Sequence, residues 1–174
     1  LITERRISAE EVEGSYRAMD SDLLRNLGQV SKQAMDPETN DMLFAHQSLL
    51  NAKDALSDIR TRILRSFVTG QLGTAALGEL NERIAQYETN ILLFQRDAAP
   101  DVMGYYRGTF QGPEVNFMRS MFGTIHEKRS IMGLRTSSAE WWELSGKTMD
   151  RMRLVEERSI GSIIAASEGI SGEA

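Results

Sequence analysis

The clearest pattern along the chain lies between residues 42 and 67. Met42, Ala45, Leu49, Ala52, Leu56, Ile59 and Ile63 are apolar and follow one another in steps of three and four. That period predicts a helix with one face pressed into a bundle core. Asp36-Pro37-Glu38 supplies its start, because Asp36 caps, Pro37 fits the first turn and Glu38 complements the helix dipole. The helix is predicted to run to about Thr69, with Gly70 as a left-handed terminator. A second stripe starts near Thr74 with Leu77, Leu80, Ile84, Tyr87, Ile91 and Phe94. It should stop near Ala99, because Pro100 disfavours helical geometry in the residue before it.

A short helix is expected next, with Val102, Tyr106 and Phe110 on one side, broken by Gly112-Pro113. Pro113 and Glu114 open another helix, whose stripe is Val115, Met118, Phe122 and Ile125 and whose end falls near Ser130. Met132 to Ser137 reads as a loop. Ser137 or Ser138 then caps a last helix carrying Trp142, Met149, Met152, Val155, Ile160 and Ile163. It should run to about Glu168, ahead of a small, polar, frayed tail. Upstream, Val12, Tyr16, Met19, Leu23, Leu27, Val30 and Ala34 predict a helix across residues 1–34, with a break or kink near residues 8 to 15.

Helices of about 30 residues span about 45 Å each, and short loops make consecutive helices antiparallel neighbours. The expected fold is all-α: an elongated antiparallel helical bundle of about six helices, of four-helix-bundle type. Residues 1–174 read as a single helical domain, excised from a longer protein.

Charges interrupt this pattern at two matched places. Arg60 stands beside Ile59, four residues after Leu56 and three before Ile63. Arg119 stands beside Met118, four after Val115 and three before Phe122. Each guanidinium starts at the edge of a core face and has to be neutralised by a carboxylate or by a bound anion. Asp58 and Glu114 are the acids available nearby in sequence. Lys53 lies seven residues before Arg60, on the same side of its helix. Two arginines converging across a bundle would grip a small planar oxyanion through their hydrogen-bonding forks.

Composition removes other classes. The net charge of −5 argues against nucleic acid as a partner, since phosphate neutralisation needs a basic face. The chain has no cysteine, and its two histidines, His46 and His126, do not stand at metal-ligand spacing, so no metal and no cofactor are expected. No nucleophile motif or glycine-rich phosphate loop occurs, and the expectation is a protein that is not an enzyme. Glu156-Glu157 reads as a solvated helix face, and Trp141-Trp142 as a hydrophobic anchor.

Four stretches resemble one family in its order. LLNAKDALSDIRTRIL, from Leu49, is similar to the AKE-x-x-G-x-ER segment of the NIT (nitrate- and nitrite-sensing) domains. Lys53 and Asp54 stand at its Lys-Glu pair and Arg60 at the arginine of ER, while Ser57 and Ile59 replace its Gly and Glu. WWELSGKTMDRMRLVE, from Trp141, resembles the family's W-F-x3-T-x-x-I-D-x-L-x-x-V-E helix, with Gly146 in place of the Thr. ERRISA at Glu4 is similar to ERGLSA and puts Arg5 at its arginine; Arg17 with Asp20 resembles the R-x-x-T-D that follows. GPEVNFMR is similar to V-x3-R and ends on Arg119.

The resemblance implies an all-helical sensor that feeds a chemoreceptor, histidine kinase, cyclase or antitermination regulator. It implies nitrate or nitrite held by Arg5, Arg60 and Arg119, with Lys53 beside them. It also implies placement as an extracytoplasmic (periplasmic) domain of a membrane-anchored inner-membrane receptor rather than in the cytoplasm. A homodimer is expected because long bundle sensors signal by moving one helix relative to its dimer mate. The rival expectations are a dimerisation or scaffold bundle without a ligand, and a sensor of another anion such as a carboxylate.

Overall fold

A computed structural model describes residues 36–128 and 136–172. Those residues form five helices and no strand: α1 Pro37–Thr69, α2 Thr74–Asp97, α3 Pro100–Thr109, α4 Pro113–Lys128 and α5 Ser138–Gly172. The fold is an all-α bundle. The helix expected across residues 1–34, with Arg5, Arg17 and Asp20, lies outside the described residues, as does most of the loop after Lys128. By internal contact the chain divides into two compact units, residues 1–40 and 41–174. In the first, Asp36 caps α1: one carboxylate oxygen accepts the Glu38 N–H at 3.3 Å and the other accepts the Thr39 hydroxyl at 2.9 Å.

Within residues 41–174 the stripes read from the sequence of α1 to α4 turn inward. Every apolar residue named on α1 and α4 is buried, as are Leu80, Ile84, Tyr87, Ile91 and Phe94 of α2. α1 runs antiparallel to α5, because 46 meets 159, 53 meets 156 and 60 meets 145. Asp58 joins α1 to α2 by accepting from Arg62 at 2.9 Å and Arg83 at 2.7 Å. Burial pushes its carboxyl up, but the two guanidinium hydrogen bonds outweigh that and hold it below the usual range. α3 and α4 follow one another along α5. At one level Phe94, Tyr106 and Phe110 pack ring to ring, with centroids 5.3 and 5.4 Å apart, and at another Tyr87 meets Phe122 edge-on at 5.7 Å.

The breaks have local causes. Gly70 takes φ +66°, and its N–H closes the last turn of α1 on the Ser66 carbonyl at 2.9 Å. α2 ends at Asp97, where Ala98 is already extended and its N–H closes on the Phe94 carbonyl; Ala99, held extended by Pro100, is the N-cap of α3, which Pro100 opens at its first turn. Gly112, at φ +121°, lets the chain turn between α3 and α4. Ser137 caps α5 by accepting the Glu140 N–H at 3.1 Å.

Three expectations are corrected here. The last helix continues to Gly172, past Glu168. Its inward aromatic is Trp141, fully buried, whereas Trp142 is 42% exposed. The true inner stripe is Trp141, Ser145, Thr148, Met152, Val155, Ser159 and Ile163, all buried. Its small hydroxyl residues do not register as apolar, which shifts the apparent face by one residue. Lastly, the extracytoplasmic receptor placement is withdrawn: among the described residues no helix is long and apolar enough to cross a membrane. The physical reason is that charged side chains interrupt α1, α2 and α5 too often to leave about 20 apolar residues in a row.

The two left-handed glycines make a stability prediction. An added Cβ meets nothing within 4 Å at Gly70, but at Gly112 it stands 3.1 Å from Arg151 Nη2 and 3.3 Å from Glu114 Oε2. Gly70→Ala should therefore cost about 1 kcal/mol, from backbone strain alone. Gly112→Ala should cost more, about 2–3 kcal/mol. Urea unfolding of the two variants checks the order.

Candidate functional site

The seam between α1 and α5 concentrates the buried polar groups. On α1 the buried residues are His46 and Lys53, followed by the half-buried Arg60; the three are spaced seven apart and therefore lie on one side of the helix. On α5 they are Ser145, Thr148, Glu156 and Ser159, all buried. Lys53 Nζ donates to Glu156 Oε2 at 2.7 Å, with side chains 7% and 1% exposed, so both charges are withdrawn from water. Glu156 is thus no solvated residue, contrary to the reading of Glu156-Glu157; Glu157 is the exposed member of that pair. A buried pair of this kind is held by mutual need, since removing either partner strands the other.

One turn further toward the C-terminus of α5, His46 Nδ1 lies 3.0 Å from Ser159 Oγ. Burial pushes the imidazole pKa down to about 4; the Glu156 charge opposes this and the Lys53 charge adds to it. Among the described residues, His46 Nε2 and Glu156 Oε1 are buried side-chain atoms with no hydrogen-bond partner.

At the other end of the seam, Arg60 lies across α5. Its Nε–H donates to Ser145 Oγ at 2.8 Å and an Nη2–H donates to the Trp142 carbonyl at 2.7 Å. Its Cζ stands 3.4 Å from the centroid of the Trp142 ring, a close cation–π contact. The Trp141 indole N–H returns a bond to the Arg60 carbonyl at 3.0 Å. Gly146 makes this approach possible, because a Cβ there would come within 2.8 Å of Arg60 Nη2.

The other sequence candidates fall elsewhere. Arg119 is exposed, its guanidinium 5.9 Å above the Phe110 ring. Arg60 and Arg119 therefore rest on different elements, the first on α5 and the second on the end of α3. Lys53 belongs to the buried ion pair, and Arg5 lies outside the described residues. The two nearby acids serve other arginines: Asp58 bonds Arg62 and Arg83, and Glu114 bonds Arg151. The Glu114 carboxyl is held below the usual range by its own backbone N–H and by Arg151. Reading the sequence missed Ser145, Glu156, Ser159 and Gly146 as parts of the seam. The seven-residue spacing of His46, Lys53 and Arg60 was the available signal for a polar line facing one partner helix.

The described residues form an all-α bundle with two cationic side chains, Lys53 and Arg60, along one interhelical seam. Comparison with protein families matches residues 1–164 to NIT, described as nitrate and nitrite sensing. The match spans most of the chain, and the chain belongs to the NIT family. Comparison with curated proteins and with solved structures gave no match.

The seam makes two predictions. Glu156→Ala should destabilise the fold by about 3–5 kcal/mol by removing the carboxylate that faces the buried Lys53, and adding Lys53→Met should recover part of the loss; chemical denaturation of the single and double variants measures both. For His46, the neutral form is favoured by folding, so its contribution is complete above pH 6.5 and is lost as pH falls toward 4. The loss is on the order of 3 kcal/mol. Thermal melts between pH 7.5 and 4 should show it, and His46→Gln should flatten that part of the profile.

Proposed function

We propose that this chain is the ligand-binding part of a sensor for nitrate or nitrite, that Arg60 is a direct contact to the anion, and that α5 carries the response toward a signalling output. The observation that carries the reading is the setting of Arg60: a guanidinium at the arginine position of the family's central motif, oriented by Ser145, the Trp142 carbonyl and the Trp142 ring. A planar oxyanion accepts two parallel N–H bonds from a guanidinium, which gives directional as well as electrostatic selection. Arg119 is a second cation within reach of solvent from the same bundle. Lys53 acts through Glu156, fixing α1 against α5 rather than gripping the ligand. The work is binding and relay, not catalysis, and the functional unit is a homodimer whose helices shift against one another.

Binding drives a response only if the anion prefers one arrangement of α5 over another. Arg60 supplies such a preference, because its side chain bridges the ligand and α5. The test is a thermal-shift and calorimetric panel of nitrate, nitrite, chloride, phosphate and acetate on the full chain. Nitrate or nitrite at 100 times its Kd should stabilise the fold by about 2.7 kcal/mol, and the other anions should not. Arg60→Ala should abolish the shift while leaving the helical circular dichroism intact. A response to acetate alone would move the reading to a carboxylate sensor.

A further inference from the structure

The geometry points to Gly146 and Trp142 as positioning residues for Arg60: together they let α5 fix the plane of the guanidinium, and through it the affinity for the anion. The inference rests on Arg60 being the anion contact. It assigns the control of that contact to two residues that need not touch the ligand.

A guanidinium has five N–H donors in one plane. α5 takes the Nε–H through Ser145 Oγ at 2.8 Å and one Nη2–H through the Trp142 carbonyl at 2.7 Å. These two bonds, made to groups three residues apart on one helix, set the in-plane rotation. The Trp142 ring, 3.4 Å from Cζ, sets the tilt. Ser145 is buried and Trp141 is fully buried beside it, with its indole N–H on the Arg60 carbonyl. The base of the arrangement is therefore rigid, and the directions of the Nη1–H donors follow from it. Orientation fixed in advance does not have to be won from binding free energy, which raises affinity for a planar ligand.

Gly146 is the permissive element. At 2.8 Å from Nη2 and 3.5 Å from Cζ, a Cβ at this position cannot coexist with the guanidinium where it lies. The atom that has to move is the far end of a flexible side chain, so the helix stays and the guanidinium leaves its place. Gly146 carries no left-handed backbone strain, and alanine is the better residue in a helix interior. Gly146→Ala thus separates two things that most variants confound: the fold holds or gains stability while the arginine loses its seat. Trp142, 42% exposed, can likewise be changed without opening the core.

The experiment uses the full chain in four variants, Gly146→Ala, Trp142→Leu, Trp142→Phe and Arg60→Ala, with two readouts. The first is the arginine Nε–H proton spectrum without any anion, in which Arg60→Ala assigns the Arg60 signal. In the wild type that signal should be displaced by the indole ring current, and Gly146→Ala and Trp142→Leu should return it toward the position of a solvated arginine. The second is calorimetric titration with sodium nitrate and sodium nitrite. Gly146→Ala, with a Tm at or above wild type, should bind about tenfold more weakly, the loss expected for one charge-assisted hydrogen bond. Trp142→Leu should weaken binding similarly, and Trp142→Phe, which keeps an aromatic face, should stay near wild type. If Arg60→Ala binds as the wild type does, or the wild type binds neither anion, the anion reading of Arg60 falls and this inference with it. If Arg60→Ala loses binding while Gly146→Ala and Trp142→Leu keep it, only the positioning role is overturned. An Arg60 signal unmoved by Gly146→Ala overturns it independently of any ligand.

Discussion

The structure depends on one buried ion pair. Lys53 and Glu156 face each other at 2.7 Å in the middle of the α1–α5 seam, both withdrawn from solvent. At that depth each charge carries a desolvation cost, and the facing opposite charge offsets part of it. Sliding α1 along α5 by one turn, about 5.4 Å, would leave an ammonium and a carboxylate facing apolar neighbours. The pair therefore fixes the register of the two longest helices among the described residues. With that register set, His46 falls opposite Ser159 and Arg60 falls opposite Ser145. An apolar seam of the same volume would pack as well and would specify the register less sharply.

That fixed register is what makes Arg60 usable. A long side chain at the edge of a core face has many places to go, and snorkelling into water is the ordinary outcome. Here the helix opposite offers a carbonyl, a hydroxyl, an aromatic face and a missing Cβ within one turn. The anion reading of Arg60 proposed above starts from this setting. On that reading α5 is both a wall of the site and the element whose displacement reports occupancy. A ligand then shifts the bundle by as much as its affinity differs between positions of α5.

Much of the fold was legible in the chain. The stripes of α1, α2 and α4, the Asp36 and Ser137 caps, the left-handed Gly70 and the break at Gly112-Pro113 all rest on local rules of helix geometry, and each was found where those rules place it. The site was only half legible. Arg60 stood out because a charge interrupted a clean apolar period. Its surroundings did not, because Ser145, Thr148 and Ser159 are small hydroxyl residues that a hydrophobic pattern reads as solvent-facing. On α5 that ambiguity moved the apparent inner face by one residue and exchanged Trp141 for Trp142.

The sequence by itself determined where α1 to α5 begin, where α1 ends and which side of α1, α2 and α4 is apolar, since these depend on residues within a turn or two of each other. The tertiary structure decided the long-range partners of the charges. Glu156 is buried because Lys53 arrives from a residue 103 positions away, and Asp58 turns from Arg60 to Arg62 and Arg83 because α2 brings the second of these alongside. Arg60 and Arg119 share a register on their own helices, yet their surroundings differ, because α5 offers the first a polar seat and Phe110 offers the second only a ring. A helix period fixes the direction in which a side chain leaves its own backbone. What it meets there is a property of the neighbouring helix, and the local pattern holds no information about that.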